Sequence, residues 1–230
     1  MDAVNPDSRR ARLPASVLAS VVVAFSMAPL RQALAIDLIV AVRDQNRAPL
    51  ENAIVYAIPA SGKIPAQAPA PASIEQIGKR FTPLVSVAQT GAAISFPNKD
   101  TVRHHVYSFS PAKVFELKLY SGLPSMPVVF DKPGLVVLGC NIPDRMIAYV
   151  LVVETPWFVK TSKDGAARFT ALPAGNYELK AWHYGLPGPD AAAAKMVSVT
   201  NSATEVNFQL PIDTGAKRIA PDVSTPERPD

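Results

Sequence analysis

The sequence has a single cysteine, Cys140, among its 230 residues. An intramolecular disulfide is therefore excluded, and a lone thiol in an oxidising compartment is a liability unless it is buried or bound to metal. Charged residues are scarce, at 18% of the chain, the net charge is only +4, and no run of Lys or Arg is interleaved with aromatic residues. This charge pattern argues against a nucleic-acid partner.

The sequence also has little that favours helices. Proline accounts for 23 of the residues, and proline interrupts helices far more than it interrupts turns and strand edges. No convincing helix pattern appears apart from a short alanine run at 191–194, and the alternation of apolar and polar residues at 115–120 is typical of a half-buried strand. The turn sequence Lys163-Asp-Gly165 predicts a hairpin. These patterns together predict an all-β protein.

The first 35 residues predict an export signal. Arg9, Arg10 and Arg12 form a basic segment, and residues 13–30 that follow are uncharged and apolar. The small-x-small pattern Ala33-Leu34-Ala35 is typical of a cleavage site. We therefore expect a periplasmic or otherwise exported protein, with no integral membrane segment left after cleavage of the signal.

The strand and turn patterns divide the rest of the chain into segments. The predicted segments are the signal peptide (1–35), N-terminal strands (36–59), a Pro/Ala-rich linker (60–73), a first β domain (74–155), a second β-sandwich (156–212) and a disordered tail (213–230). Pattern alone leaves open whether 36–59 completes the second sandwich or the first domain, because alternation specifies which face a residue occupies and not which strand pairs with which.

Four residues suggest a metal site on this β framework. Met146 follows Cys140 by six residues, and His104 and His105 lie upstream. A thiolate, imidazoles and a weak thioether are the ligands of a blue-copper electron-transfer site. Adjacent strand residues point to opposite faces, so the two histidines are not expected to reach the same ion without a bulge.

The stretch 74–154 resembles a cupredoxin domain of the plastocyanin and amicyanin type. Gly91-Ala-Ala-Ile-Ser-Phe-Pro-Asn98 followed by His104-His105-Val106 is similar to the approach to the first copper histidine. The segment Gly139-Cys140 to Met146 is similar to the short Cys-x-x-His-x-x-Met ligand loop. The stretch 96–157 most closely resembles exported proteins labelled methylamine-utilisation proteins, whose loop typically reads Cys-Asn-Ile-His-Asp-Trp-Met.

A second resemblance is to carboxypeptidase-regulatory-like, transthyretin-like sandwiches. Lys163-Asp-Gly165 and Leu172-Pro-Ala-Gly-Asn-Tyr177 fit their hairpin-and-turn pattern, and so does the stretch 42–55. The two resemblances together imply a cupredoxin-like Greek-key sandwich plus a second small β-sandwich. Of the two placements left open for 36–59, we expect the one in the second sandwich, with the first domain inserted between its two parts.

The cupredoxin resemblance implies a ligand set with one member missing. Cys140 would supply the thiolate, Met146 the axial thioether and His104 one imidazole, with His105 as an additional candidate. Pro143 stands where the family has its second histidine, and proline has no side-chain donor atom. Arg145 replaces the usual tryptophan. We therefore expect copper to be weakly bound or absent, held best as Cu(I).

Several functions remain open at this point. The first is an exported cupredoxin-like protein with an incomplete type 1 copper site, derived from electron transfer or copper handling and partnered by a periplasmic redox protein. The alternative is a metal-free binding or scaffold module that has lost copper. Because no nucleophile elbow or orienting carboxylate is evident, a hydrolase using Cys140 and His104 is not expected, and we predict that the protein is not an enzyme.

Overall fold

The computed structural model of the protein describes residues 36–124, 126–140, 146–200 and 204–214. The predicted signal peptide (1–35), the loop 141–145 that contains Pro143 and Arg145, and residues 215–230 of the predicted tail lie outside the described residues.

In the described part, the chain forms seventeen strands and one turn of 3-10 helix, Pro189–Ala191. The strands are β1 Ile36–Arg43, β2 Ile54–Pro59, β3 Ala72–Ser73, β4 Glu75–Gln76, β5 Phe81–Thr82, β6 Val85–Gln89, β7 Ala92–Ser95, β8 His104–Ser110, β9 Lys113–Tyr120, β10 Val128–Phe130, β11 Gly134–Cys140, β12 Met146–Val153, β13 Phe158–Lys160, β14 Ala166–Leu172, β15 Gly175–Trp182, β16 Ala193–Val199 and β17 Thr204–Gln209. The predicted all-β class is confirmed. No helix among these residues is long and apolar enough to cross a bilayer.

The first sandwich packs a five-stranded sheet against a three-stranded one. The five strands run in the order β6-β12-β11-β8-β9, and the three in the order β10-β7-β3. Alternation places Val136, Leu138 and Cys140 of β11 in the core between the sheets, together with Phe96 and Phe130. This core positions the candidate site, because Cys140 and Met146 belong to the same buried cluster.

The second sandwich is built from both ends of the described chain. β1 lies between β14 and β17, and β2 lies between β13 and β15, with β16 at the edge. The N-terminal strands at 36–59 therefore pair with strands that follow residue 157, and the first sandwich is inserted between them. Residues 60–71 connect the two without forming a strand and are mostly exposed.

β12 is the strand on which the two sandwiches meet. Met146, Ala148 and Val150 on one of its faces belong to the core of the first sandwich, whereas Tyr149 and Leu151 on the other belong to that of the second. The Lys160 ammonium of β13 donates a hydrogen bond of 2.8 Å to the carbonyl of Val85 in β6. The second sandwich thus covers the outer face of the five-stranded sheet at β6 and β12.

Three local predictions differ from the structure. The Lys163-Asp-Gly165 turn forms, but it joins β13 and β14, which lie in different sheets and are not paired with each other as a hairpin. In the 191–194 run, only Ala191 is in the 3-10 turn, and Ala193 and Ala194 begin β16. Two residues assigned to the tail are tied down, because Asp213 accepts a hydrogen bond from Asn46 and Thr214 donates one to Asp44.

Candidate metal centre

Three sequence-predicted ligands lie at one end of the five-stranded sheet. Cys140 ends β11 and Met146 begins β12, and the antiparallel register places them directly opposite each other. His104 begins β8, which pairs with β11 so that Gly139 lies opposite Tyr107. In an antiparallel sheet the last residue of one strand lies beside the first residue of its neighbour. This register therefore brings the three side chains to the same end of the sheet.

The thiol and the imidazole are in contact. Cys140 Sγ lies 3.7 Å from His104 Nδ1. A metal bound at about 2.0 Å to nitrogen and 2.3 Å to sulfur, with an angle between tetrahedral and trigonal, would separate its two ligand atoms by roughly 3.5–3.8 Å. The same separation suits a hydrogen bond between thiol and imidazole. The two atoms are therefore spaced for an ion to enter between them with little movement.

The centre is almost completely shielded from solvent by the rest of the first sandwich. The residues His104, Cys140 and Met146 are 0%, 3% and 5% exposed. The surrounding cluster is apolar and includes Phe96 and Val106. A buried apolar surrounding excludes water and favours an ion of low charge over one of higher charge.

The second imidazole nitrogen of His104 is bound to Asp100. Nε2 lies 2.8 Å from Asp100 Oδ2, and the same carboxylate accepts the backbone N–H groups of Gly78 at 2.7 Å and Lys79 at 2.9 Å. Burial alone would raise the pKa of Asp100, but the hydrogen bonds from Lys79, His104 and Gly78 outweigh it and hold that pKa below its usual value. Asp100 therefore faces the imidazole as a carboxylate at neutral pH.

Two tyrosines flank Cys140. Tyr120 lies opposite His104 on β9, donates a hydrogen bond of 2.7 Å to the carbonyl of Phe96 and accepts one from the Gln76 amide. Burial raises the pKa of Tyr120 to about 12, with the Gln76 hydrogen bond opposing this and the charge of Cys140 adding to it.

Tyr107 flanks the same strand from the outer face of the sheet. A methyl group added at Gly139 would lie within 2.6–2.8 Å of the Tyr107 ring and hydroxyl. Glycine therefore allows this ring to lie against the strand next to the cysteine. Burial raises the pKa of Tyr107, and the charge of Cys140 adds to this effect.

The structure does not bring His105 to Cys140. Its ring packs against Tyr107 at a centroid distance of 5.4 Å, and its Nε2 lies 2.9 Å from a Glu116 oxygen, although the two are not aligned for a hydrogen bond. The chain's third histidine, His183, lies in the second sandwich, where its ring nitrogens contact the Glu51 carbonyl and the Gly185 N–H.

The donor set fits a soft metal ion of low coordination number. Across the described ranges, no cluster of three or more His, Cys, Asp and Glu side chains could hold a metal. The candidate donors at this end of the sheet are the Cys140 thiol, the His104 imidazole in contact with it and the thioether of Met146 on the adjacent strand. Soft thiolate and thioether ligands select Cu(I). The second imidazole that type 1 copper would need is not supplied at position 143, which is proline.

Sequence reasoning missed Asp100, the carboxylate partner of His104. No orienting carboxylate was evident in the sequence, because Asp100 belongs to a turn sequence, Pro97-Asn-Lys-Asp100, whose composition is explained by the turn alone. The only sequence indication is its spacing of four residues from His104. The contacts of Tyr107 and Tyr120 arise from register between strands and leave no local pattern.

The described strands form an all-β protein of two sandwiches, and the candidate site lies at one end of the five-stranded sheet of the first. Among solved structures, the chain is similar to a copper-containing nitrite reductase (NirK) from Thermus scotoductus SA-01, at 23% identity and a TM-score of 0.35 over 42% of this chain and 25% of that one. The chain thus spans about a quarter of that reductase's length.

Two smaller proteins are also similar over part of this chain. A novel purple cupredoxin from Nitrosopumilus maritimus matches at 20% identity and a TM-score of 0.32, over 36% of this chain and 99% of that one. A pseudoazurin from Sinorhizobium meliltoi matches at 22% identity and a TM-score of 0.30, over 38% of this chain and 76% of that one. No protein-family model and no curated protein matches the chain.

Proposed function

We propose that this chain is an exported, non-catalytic cupredoxin-like protein that binds copper as Cu(I) through Cys140, His104 and Met146. The observation that carries the proposal is the 3.7 Å contact between Cys140 Sγ and His104 Nδ1, with Met146 directly opposite Cys140. Its role is copper handling, in a lineage related to the electron-transfer cupredoxins and to the proteins labelled methylamine-utilisation proteins.

The preference for Cu(I) follows from the donors and from their surroundings. Cu(I) is soft and accepts low coordination, so a thiolate, an imidazole and a thioether suffice. Pro143 adds no donor, and the cation of Arg145, which precedes Met146 in the sequence, would disfavour Cu(II) more than Cu(I) if it lies beside the site. Copper bound at this site would supply one-electron chemistry or would itself be the cargo, and the chain holds the three candidate ligands buried beside an apolar core.

A non-catalytic role is favoured over hydrolysis of a substrate by Cys140 acting as a nucleophile. Cys140, His104 and Asp100 form a thiol–imidazole–carboxylate series, which is the order of groups in cysteine hydrolases. A nucleophile must reach its substrate, however, and the thiol and the imidazole are 3% and 0% exposed. Burial of both groups supports binding of an ion in preference to attack on a substrate carbonyl.

A periplasmic redox or copper-exchanging protein is the proposed partner. Four exposed apolar residues lie at the end of the sandwich that holds the candidate site. Each of them either supplies, or is next in sequence to, a backbone group that hydrogen-bonds with Asn98 or Asp100. They are Ile77, Val102, Leu119 and Leu123. Apolar residues around a buried centre suit brief contact with a partner protein. Export to such a compartment rests on the predicted signal at residues 1–35.

Anaerobic titration of the purified protein with Cu(I), in competition with a chromophoric Cu(I) chelator, tests the proposal. We expect one Cu(I) per chain, loss of binding in Cys140→Ser and weaker binding in Met146→Leu. Met196→Leu is the matched control, because Met196 is 66% exposed in the second sandwich. Binding that is absent, or equal in wild type and Cys140→Ser, would refute the proposal.

A metal-free binding module is the second candidate. The observation that favours it is an uncovered apolar pair on the outer face of the five-stranded sheet, where Phe109 and Val114 lie opposite each other and are each 64% exposed. Metal analysis of protein purified from copper-supplemented cells separates the two candidates, since this module would carry no copper.

A further inference from the structure

We infer that Asp100 is a positioning residue that fixes the tautomer and orientation of His104, so that Nδ1 presents its lone pair toward Cys140. The expected effect of Asp100 on Cu(I) affinity rests on the proposed function, whereas its expected effect on the tautomer of His104 does not. The inference starts from the 2.8 Å contact between Asp100 Oδ2 and His104 Nε2.

The chemistry of the pair decides where the imidazole hydrogen lies. An ionised carboxylate only accepts hydrogen bonds, so the nitrogen that faces it must carry hydrogen. Nε2 of His104 is therefore the protonated nitrogen, and Nδ1 of the neutral ring holds a lone pair. That lone pair points to the side where Cys140 Sγ lies at 3.7 Å, so it can accept from the thiol or bind an ion.

Asp100 is itself held firmly enough to orient its neighbour. Its carboxylate binds the N–H groups of Gly78 and Lys79, whose φ angles of 61° and 57° turn two successive N–H groups toward one anion. Such a pair of amides forms a small anion-binding nest. The backbone N–H of Asp100 donates to Asn98 Oδ1 at 2.9 Å, so the backbone of Asp100 is held as well as its carboxylate.

Asn98 connects this arrangement to the strand opposite His104. Its side-chain amide donates to the carbonyls of Val102 at 2.8 Å and Tyr120 at 2.9 Å. Asn98 is buried, so these bonds are shielded from water. The imidazole is therefore held through Asp100 by a connected polar network that reaches the 77–80 loop and the end of β9.

Asp100→Asn separates two roles of Asp100, which are to orient the His104 ring and to hold the 77–80 loop in place. The amide is nearly isosteric, and with its oxygen in place of Oδ1 it still accepts from Gly78. Its NH₂ group then takes the place of Oδ2 and faces Nε2 as a donor, which favours the tautomer with hydrogen on Nδ1 and blocks the lone pair beside Cys140. Asp131→Asn is the matched control, because Asp131 is exposed and pairs with Lys113.

The first measurement is NMR of the histidine ring nitrogens in metal-free protein. We expect hydrogen on Nε2 of His104 in wild type and in Asp131→Asn, and a shift toward Nδ1 in Asp100→Asn. A wild-type His104 with hydrogen on Nδ1 overturns the inference, and that result needs no variant to fold.

The second measurement is the Cu(I) affinity of the same proteins by chelator competition. We expect Asp100→Asn to bind Cu(I) about 10–100-fold more weakly than wild type, as is typical for loss of a group that orients a ligand, and Asp131→Asn to be unchanged. An Asp100→Asn affinity within about twofold of wild type overturns the positioning role at the metal. If wild type binds no Cu(I) but the tautomer shifts in Asp100→Asn, the orientation of the ring is supported and the proposed function fails.

Discussion

Cys140 and Met146 are directly opposed across β11 and β12, at the end of a sheet whose outer face at β12 is covered by a second sandwich. Both side chains are buried in the first core. The strand register therefore places the two sulfur-containing side chains at the two ends of the short loop 141–145, and the residue types within that loop decide whether it adds a donor to Cys140, His104 and Met146.

Restoring histidine at position 143 is expected to strengthen copper binding. Pro143→His adds an imidazole to the loop between Cys140 and Met146, which completes the His₂Cys set with an axial methionine. We expect at least tenfold tighter binding and an intense thiolate-to-copper(II) absorption in the visible spectrum after oxidation. Pro143→Ala removes the proline without adding a donor, so its spectrum should match wild type. Equal spectra for the two variants would place position 143 outside the ligand sphere.

The two adjacent histidines are expected to differ sharply in their effects. His104 contacts the thiol, whereas His105 packs on Tyr107 at the other face. His104→Ala should weaken Cu(I) binding by more than about 100-fold, beyond the loss expected for an orienting group, and His105→Ala should change it by less than about threefold. Isothermal or chelator titration measures both. The register of β8 with β9 shifts between His104 and Val106, and a larger loss in His105→Ala would mean that this irregularity turns the other imidazole inward.

Gly139→Ala is expected to destabilise the fold through Tyr107. The new methyl group would meet the Tyr107 ring at 2.6–2.8 Å, and overpacking of this kind typically costs about 1–3 kcal/mol. In a Tyr107→Ala background the same change should be nearly neutral. Chemical denaturation of the four proteins forms a double-mutant cycle. Equal costs in the two backgrounds would show that Tyr107 is not the obstacle.

Alkaline stability is expected to depend on Tyr120. Its folded-state pKa of about 12 lies above the usual value of 10.0, so the unfolded chain loses this proton first as the pH rises. The stabilising contribution is therefore complete below pH 10 and is lost between 10 and 12. The stability difference between wild type and Tyr120→Phe should shrink across that window, as measured by denaturation at several pH values. A constant difference would contradict the burial of this hydroxyl.

The fold class was predictable because alternation is a local property. Runs such as 115–120 show which residues face inward, and that sufficed for an all-β prediction. Alternation did not specify pairing partners, because the side-chain period is the same whichever strand lies alongside. The expected placement of 36–59 in the second sandwich came instead from the resemblance of the stretch 42–55 to one family pattern, and the pairing itself depends on long-range hydrogen bonds.

The candidate site was likewise only partly predictable from the sequence. Cys140, His104 and Met146 stand out in the sequence because few residue types bind copper. Asp100 does not stand out, since aspartate is common in turns and its bond to His104 depends on how the 97–103 loop folds. The approach of Tyr107 to Gly139 is likewise a matter of register between β8 and β11.

The copper X-ray absorption spectrum of the protein loaded with one equivalent of Cu(I) tests copper binding by Cys140, His104 and Met146 most directly. We predict three-coordinate Cu(I) with two sulfur donors and one nitrogen donor at about 2.0–2.3 Å, and loss of one sulfur in Met146→Leu. Copper that is lost on desalting, or a spectrum without sulfur donors, would contradict this prediction.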